Sequence, residues 1–264
     1  MSIGIPILTY HSIDDSGSVI STPALKFREQ MQILQDRQFN IIPLNNLVNL
    51  MRNRRPLPGR TAVITFGDGF KNFYLKAYPI LQEFGYSATV FLVPEYIGKT
   101  SKWNTILRGM PVLDLLGWSQ IKEMANKGID FGAHSMTHES LAKLSLEEAR
   151  QEIVKSKSAI EEHINHDVTI FCYPYGITNS QVKEIVQAEF QGACGTNMDF
   201  VSMHSDIYEL PRIDMYYFSK NNYSKHIGTP LFSAYITFRN ILRSIKNINR
   251  AVSKLEKNHG KVDK

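Results

Sequence analysis

With 264 residues, 43% hydrophobic and 21% charged, the chain is long enough for one domain with a substantial core, and its composition excludes a disordered one. The formal charge of +5 is concentrated: residues 239–264 hold eight Lys or Arg against Glu256 and Asp263, a surplus of +6 that leaves the rest near −1. A basic nucleic-acid-binding face is therefore not expected.

Short apolar runs alternate with helix-period segments, the pattern of repeated βα units. Ile5–Tyr10 reads as a first strand and Pro23–Gln38 as an amphipathic helix. A short strand over Asn40–Pro43 and a helix over Leu44–Arg52 follow, and the Pro56-Leu57-Pro58-Gly59 turn leads into the strongest strand, Thr61–Phe66. A helix over Asn72–Phe84 precedes strand Ser87–Val93. An irregular stretch from Pro94 to Leu116 contains Trp103 and is too long for a tight connection. Helix Ser119–Lys127, strand Ile129–Ala133, helix Ser145–Ile164, strand Val168–Tyr173, helix Asn179–Glu189, strand Gly192–Gly195 and a last element over Glu209–Asp214 complete about seven units. Strands apolar on consecutive residues suit a parallel sheet covered on both faces.

The division expected is one domain over 1–220 and a basic helical extension over 221–264. Apolar residues at 231, 234, 235, 238, 241, 242, 245, 248, 252 and 255 have helical spacing. Such a helix either packs on the domain or lies against an anionic membrane surface. No signal peptide and no apolar run of spanning length is read, so the expected compartment is the cytoplasm, with peripheral membrane contact as an option. Cys172 and Cys194 form neither a zinc-knuckle pattern nor a disulfide framework.

Three constellations fall at strand ends, where βα barrels build their chemistry. Thr65-Phe66-Gly67-Asp68-Gly69 ends the strongest strand; alone, its aspartate is most often a turn residue. His134-Ser135-Met136-Thr137-His138 follows the strand over Ile129–Ala133, and two imidazoles four residues apart can converge on one cation. Pro174-Tyr175-Gly176 fixes a sharp turn that leaves the Tyr175 amide available to a site. Together, one carboxylate and two imidazoles leave open positions on a borderline cation such as zinc, which polarises a carbonyl and acidifies water. A backbone N–H then serves a developing oxyanion.

These three segments resemble, in order, the T-F-D-D-G, H-S/T-x-x-H and P-Y-G motifs of the NodB-homology polysaccharide deacetylases, carbohydrate esterase family 4. The resemblance spans roughly residues 5–215. It implies a distorted (β/α)7 barrel and metal-dependent hydrolysis of N-acetyl groups on the amino sugars of a polysaccharide or glycolipid. It further implies Asp68, His134 and His138 as ligands of a divalent metal, zinc in first place, and Tyr175 as the oxyanion donor. His11, in Leu8-Thr9-Tyr10-His11, is similar to the acid histidine of the permuted poly-N-acetylglucosamine deacetylases. Cys172 stands where many members have arginine, and Arg212 is the candidate replacement; Arg212 and Tyr173 are taken as substrate-binding candidates.

One position departs from the pattern. The family's catalytic base is the first aspartate of T-F-D-D-G, and Gly67 stands there. Loss of general-base assistance costs about 10²- to 10⁴-fold in rate. Three readings are open: an otherwise active-looking member with one isolated substitution, a non-catalytic protein that keeps metal and sugar binding, or a substitute carboxylate at Asp14 or Asp15. Restoring aspartate at 67 is expected to raise acetate release from N-acetylglucosamine oligomers by about a hundredfold or more.

Overall fold

A computed structural model describes residues 4–103, 110–219 and 223–240. Seven parallel strands follow one path: β10 (Ile213–Asp214), β1 (Ile7–Tyr10), β5 (Thr61–Phe66), β6 (Thr89–Leu92), β7 (Asp130–Ala133), β8 (Ile170–Cys172) and β9 (Gly192–Cys194). A short β4 (Asn40–Ile41) pairs with the start of β5. The ends of the path approach each other through a parallel bridge between Cys194 and Leu210, which gives the sheet the form of a distorted (β/α)7 barrel.

Val63, Ile64, Phe66, Val90, Phe91, Phe171 and Cys172 are at most 1% exposed on both faces of their strands, as a sheet enclosed by helices requires. The covering helices are α1 (Ala24–Asp36), α2 (Leu44–Arg52), α3 (Tyr78–Phe84), α4 (Trp118–Ala125), α5 (Leu146–Ile164) and α6 (Ser180–Glu189). They agree with the sequence reading to within three residues at every boundary except the start of α3. There, Phe73–Ala77 forms a π-helical turn. Pro79 lacks the amide that would bond back to Leu75 and its ring crowds that carbonyl, so the chain widens before the regular helix begins.

Two elements escape sequence reading: the parallel pair β2 (Ser12–Ile13) with β3 (Ser21–Thr22), and the single turn α7 (Tyr216–Ser219). Both are too short to carry a period. After α7 the chain forms a helix over 230–240, and the remainder of the basic segment lies outside the described residues. This helix packs through Phe232 and Ile236, both fully buried, whereas Leu231 (63% exposed), Ala234 and Phe238 (57% exposed) face outward. Of the four stripe members among the described residues, three are thus on the outer side and only Tyr235 touches the core. Among the described residues, no helix is long and apolar enough to cross a membrane.

Candidate metal centre

All three motif loops leave the same end of the sheet: Gly67-Asp68 follows β5, His134–His138 follows β7, and Pro174–Gly176 follows β8. Register brings a fourth segment to them. β1 pairs with β5 so that Tyr10 lies opposite Phe66, and the Gly67 amide donates to the Tyr10 carbonyl at 2.9 Å. His11 therefore emerges beside Gly67.

The loops hold unusual backbone conformations. Asp68 (φ 68°), Ser135 (φ 58°), His138 (φ 65°) and Tyr175 (φ 59°) occupy the left-handed region, and they are four of the seven non-glycine residues that do so among those described. Each such residue costs energy that surrounding contacts must offset, a pattern concentrated at functional sites. The offsets are visible. Glu152 of α5 accepts from both the amide and the hydroxyl of Thr137, at 2.8 and 3.0 Å, and the Ser135 hydroxyl accepts from the His138 amide at 2.9 Å.

The outcome is a compact triad. Asp68 Oδ1 lies 3.5 Å from His134 Nε2 and 3.4 Å from His138 Nε2, and one ligand atom from each residue falls within 4.8 Å of the others. Asp68, His134 and His138 are 7, 5 and 6% exposed. Burial pushes the Asp68 carboxyl upward, but the two histidines outweigh it and hold the group well below the usual carboxylate range. The His134 ring approaches the Cys172 carbonyl through Nδ1 at 2.6 Å. When the ring is neutral that bond requires the Nδ1–H tautomer, which leaves the Nε2 lone pair free for a cation shared with the carboxylate. One carboxylate oxygen and two imidazole nitrogens suit a divalent transition metal.

Aromatic rings enclose the ligands. Trp103 stacks on His138 with centroids 4.9 Å apart and planes at 20°, while the Tyr175 ring meets His138 edge-on at 4.8 Å. Trp103 is placed by the long stretch after β6, which returns to the motif loop through bridges between Thr100 and Asp114 and between Phe70 and Leu115. Its irregularity was legible; its contact with a ligand was not.

The other candidates are placed as follows. Tyr175 is 37% exposed and sits at the site's rim, between Pro174 and Gly176. Tyr173 is 1% exposed, with its hydroxyl buried and without a hydrogen-bond partner. Arg212, 4% exposed, donates through Nε to the Gly195 carbonyl at 2.8 Å and contacts Thr9 Oγ1 at 3.3 Å. It lies in the field of Cys172 and Cys194, which pair in register on β8 and β9 as free thiols, and of Asp214 and Asp68. Asp14 accepts from the Ser12 hydroxyl and the Ser16 amide within its own turn, and Asp15 is exposed.

Two residues, Glu152 and Asp214, went unrecognised in the sequence, and a third, Asn72, looks there like that of an active member without its contacts being legible. Asn72 donates to Ser12 Oγ at 2.6 Å and accepts from the Ile13 amide at 3.1 Å, tying the segment after His11 to the segment after Asp68. Glu152 braces the histidine loop. Asp214 is paired opposite Thr9; burial raises its carboxyl above the usual range, against the opposing pull of His11 and Arg212. No motif marks these positions, because each acts through a partner distant in sequence.

Comparison with known proteins agrees with this geometry. A family model described as polysaccharide deacetylase matches residues 54–192. The chain is 29% identical over 211 residues to YxkH of Bacillus subtilis (strain 168), a protein named for polysaccharide deacetylase, covering 79% of this chain and 70% of that one. It is 26% identical over 198 residues to a poly-beta-1,6-N-acetyl-D-glucosamine N-deacetylase of Staphylococcus epidermidis, covering 71% of this chain and 65% of that one. In fold it is similar to the Streptococcus pyogenes deacetylase PplD, solved with acetate (TM-score 0.70, 22% identity, 81% of this chain and 93% of that one). It is also similar to IcaB from Ammonifex degensii (TM-score 0.71, 20% identity, 85% and 98%).

Proposed function

The chain belongs to the polysaccharide deacetylase family, and from that premise we propose that it hydrolyses N-acetyl groups on the amino sugars of a polysaccharide or glycolipid, with a divalent metal, zinc first among candidates, held by Asp68, His134 and His138. The observation that carries this reading is the buried carboxylate facing two imidazoles, a donor set suited to a divalent cation. When bound, such an ion polarises the acetyl carbonyl and lowers the pKa of water. The chain's own groups do the rest. The turn at Tyr175 offers its amide to the oxygen that gains charge, and its ring closes one side of the ligand cluster. His11 delivers a proton to the departing amine. Arg212, with its donors engaged by Gly195 and Thr9, sets a positive charge in the field of Asp68, whereas Tyr173 packs against Phe171 in the core cluster shared with the helices.

The relative from S. epidermidis is named for β-1,6-linked N-acetylglucosamine, and oligomers of that linkage are the first substrates to test. Turnover is lower than an aspartate at position 67 would give in an open site, because no carboxylate stands there. The test is acetate release from such oligomers, measured beside the zinc content of the purified protein. Stoichiometric zinc with acetate release supports the reading. Stoichiometric zinc with oligomer binding but no acetate supports the alternative, a non-catalytic member that retains metal and sugar. Absence of metal binding overturns both.

A second reading concerns location. The outward residues Leu231, Ala234 and Phe238 lie on one side of the 230–240 helix, and the sequence beyond it adds seven Lys or Arg against two acids. We propose that this region meets an anionic lipid surface, the apolar side chains entering the headgroup boundary and the basic ones meeting lipid phosphates. Co-sedimentation should occur with vesicles containing phosphatidylglycerol, weaken with salt, and fall at least tenfold in a Leu231→Ser/Phe238→Ser variant. Equal binding to neutral phosphatidylcholine vesicles, or no loss in the variant, rejects it.

A further inference from the structure

Gly67 is not an empty position. A Cβ built there would lie 2.6 Å from His11 Cδ2 and 2.9 Å from His11 Nε2, closer than such atoms approach in folded proteins. Its φ is not in the left-handed region, so the backbone itself would admit any residue; what a side chain would meet is the imidazole, which would have to turn aside to admit one. The ring edge bearing Nε2 fills the volume from which an aspartate would project. This placement follows from the β1–β5 register, which sets His11 beside Gly67, and from Asn72, which ties down Ser12 and Ile13.

We propose that His11 and Gly67 are a matched pair, in which the His11 imidazole stands in the base's place and serves as both general base and general acid. This rests on the deacetylase reading and deepens it. In the first step a water O–H bond breaks, its proton goes to His11, and the oxygen forms a bond to the acetyl carbonyl carbon. In the second, the same proton passes from His11 to the amide nitrogen as the C–N bond breaks. The products are the carboxylic acid and the free amine, and His11 returns to its neutral form. No second proton carrier is required. The aspartate absent from position 67 is then replaced in space by a residue of another strand.

The pair predicts coupling. Gly67→Ala and Gly67→Asp should each displace the ring, lowering the melting temperature and reducing acetate release at least tenfold. In a His11→Ala background, where the space is free, the same substitutions should leave the melting temperature nearly unchanged. His11→Ala alone should abolish acetate release while zinc content stays stoichiometric. Three results overturn the proposal in distinguishable ways. If Gly67→Asp raises acetate release tenfold or more, the base position was vacant and His11 does not fill it. If Gly67→Ala lowers the melting temperature equally in both backgrounds, the packing is absent, whatever the activity. If the coupling appears but neither the natural chain nor any variant releases acetate with zinc bound, the reaction itself is wrong and the catalytic role falls with it.

Discussion

His134 reaches the Cys172 carbonyl through Nδ1 at 2.6 Å, so the next strand of the sheet, one βα unit later, bears on which nitrogen of that ring can bind metal. The remaining imidazole nitrogen, the carboxylate and His138 are then gathered in a buried space. Zinc should bind the folded chain and not the unfolded one, raising the melting temperature in proportion to the logarithm of its concentration. Removing it with a chelator should lower the melting temperature; His134→Ala should remove that sensitivity.

Glu152 touches none of the ligand atoms but takes two hydrogen bonds from Thr137, in the middle of the histidine loop. Glu152→Ala should weaken zinc affinity by roughly ten- to a hundredfold, the usual effect of losing a group that orients ligands. Isothermal titration of the metal-free variant measures it, and an unchanged affinity would show that the loop holds its strained φ values unaided.

Trp103 covers one face of His138. Trp103→Ala should open that face to water, lower zinc affinity several-fold and raise KM more than it lowers kcat. Trp103→Phe should recover most of the loss, since the stacking surface is retained.

Gly132 lies two residues before His134, and a Cβ there would meet Phe91 Cε1 at 2.6 Å and the Ile170 carbonyl oxygen at 2.9 Å. Gly132→Ala should destabilise the domain by about 1–3 kcal/mol, as overpacking generally does. Because β7 aims the metal loop, zinc affinity should fall with it. Denaturant unfolding with and without zinc separates the two effects.

Asp130 begins β7, at the end of the sheet opposite the site, where it accepts from Thr89 Oγ1 at 2.9 Å and Asn45 Nδ2 at 3.1 Å. Burial pushes its carboxyl up to about 6, and the hydrogen bonds only partly oppose this. The sign is unfavourable at neutral pH. Between the unfolded value near 4 and the folded value near 6, the native state binds more protons than the unfolded state, so stability falls as pH rises through that window. Asp130→Asn should remove this slope and stabilise the protein at pH 7 by on the order of 2 kcal/mol. A slope that persists in urea unfolding between pH 4 and 6.5 would assign it to another group.

The sequence by itself determined the units of the barrel and singled out Asp68, His134 and His138, which the structure brings together. Strand and helix periods are local properties, and Gly67–Gly69 and His134–His138 each lie on a single loop whose chemistry is written in consecutive letters. It also exposed Gly67 as the departure. What Gly67 means was decided only by packing, because the atoms that fill its space belong to His11, 56 positions earlier, and meet it through strand register. The same holds for Asn72, Glu152 and Asp214, each of which acts across strands or between loop and helix. The terminal stripe shows the limit most directly. Its period marks a helix, but which side of that helix faces the barrel depends on what Phe232 and Ile236 find to pack against, and spacing along the chain carries no record of that surface.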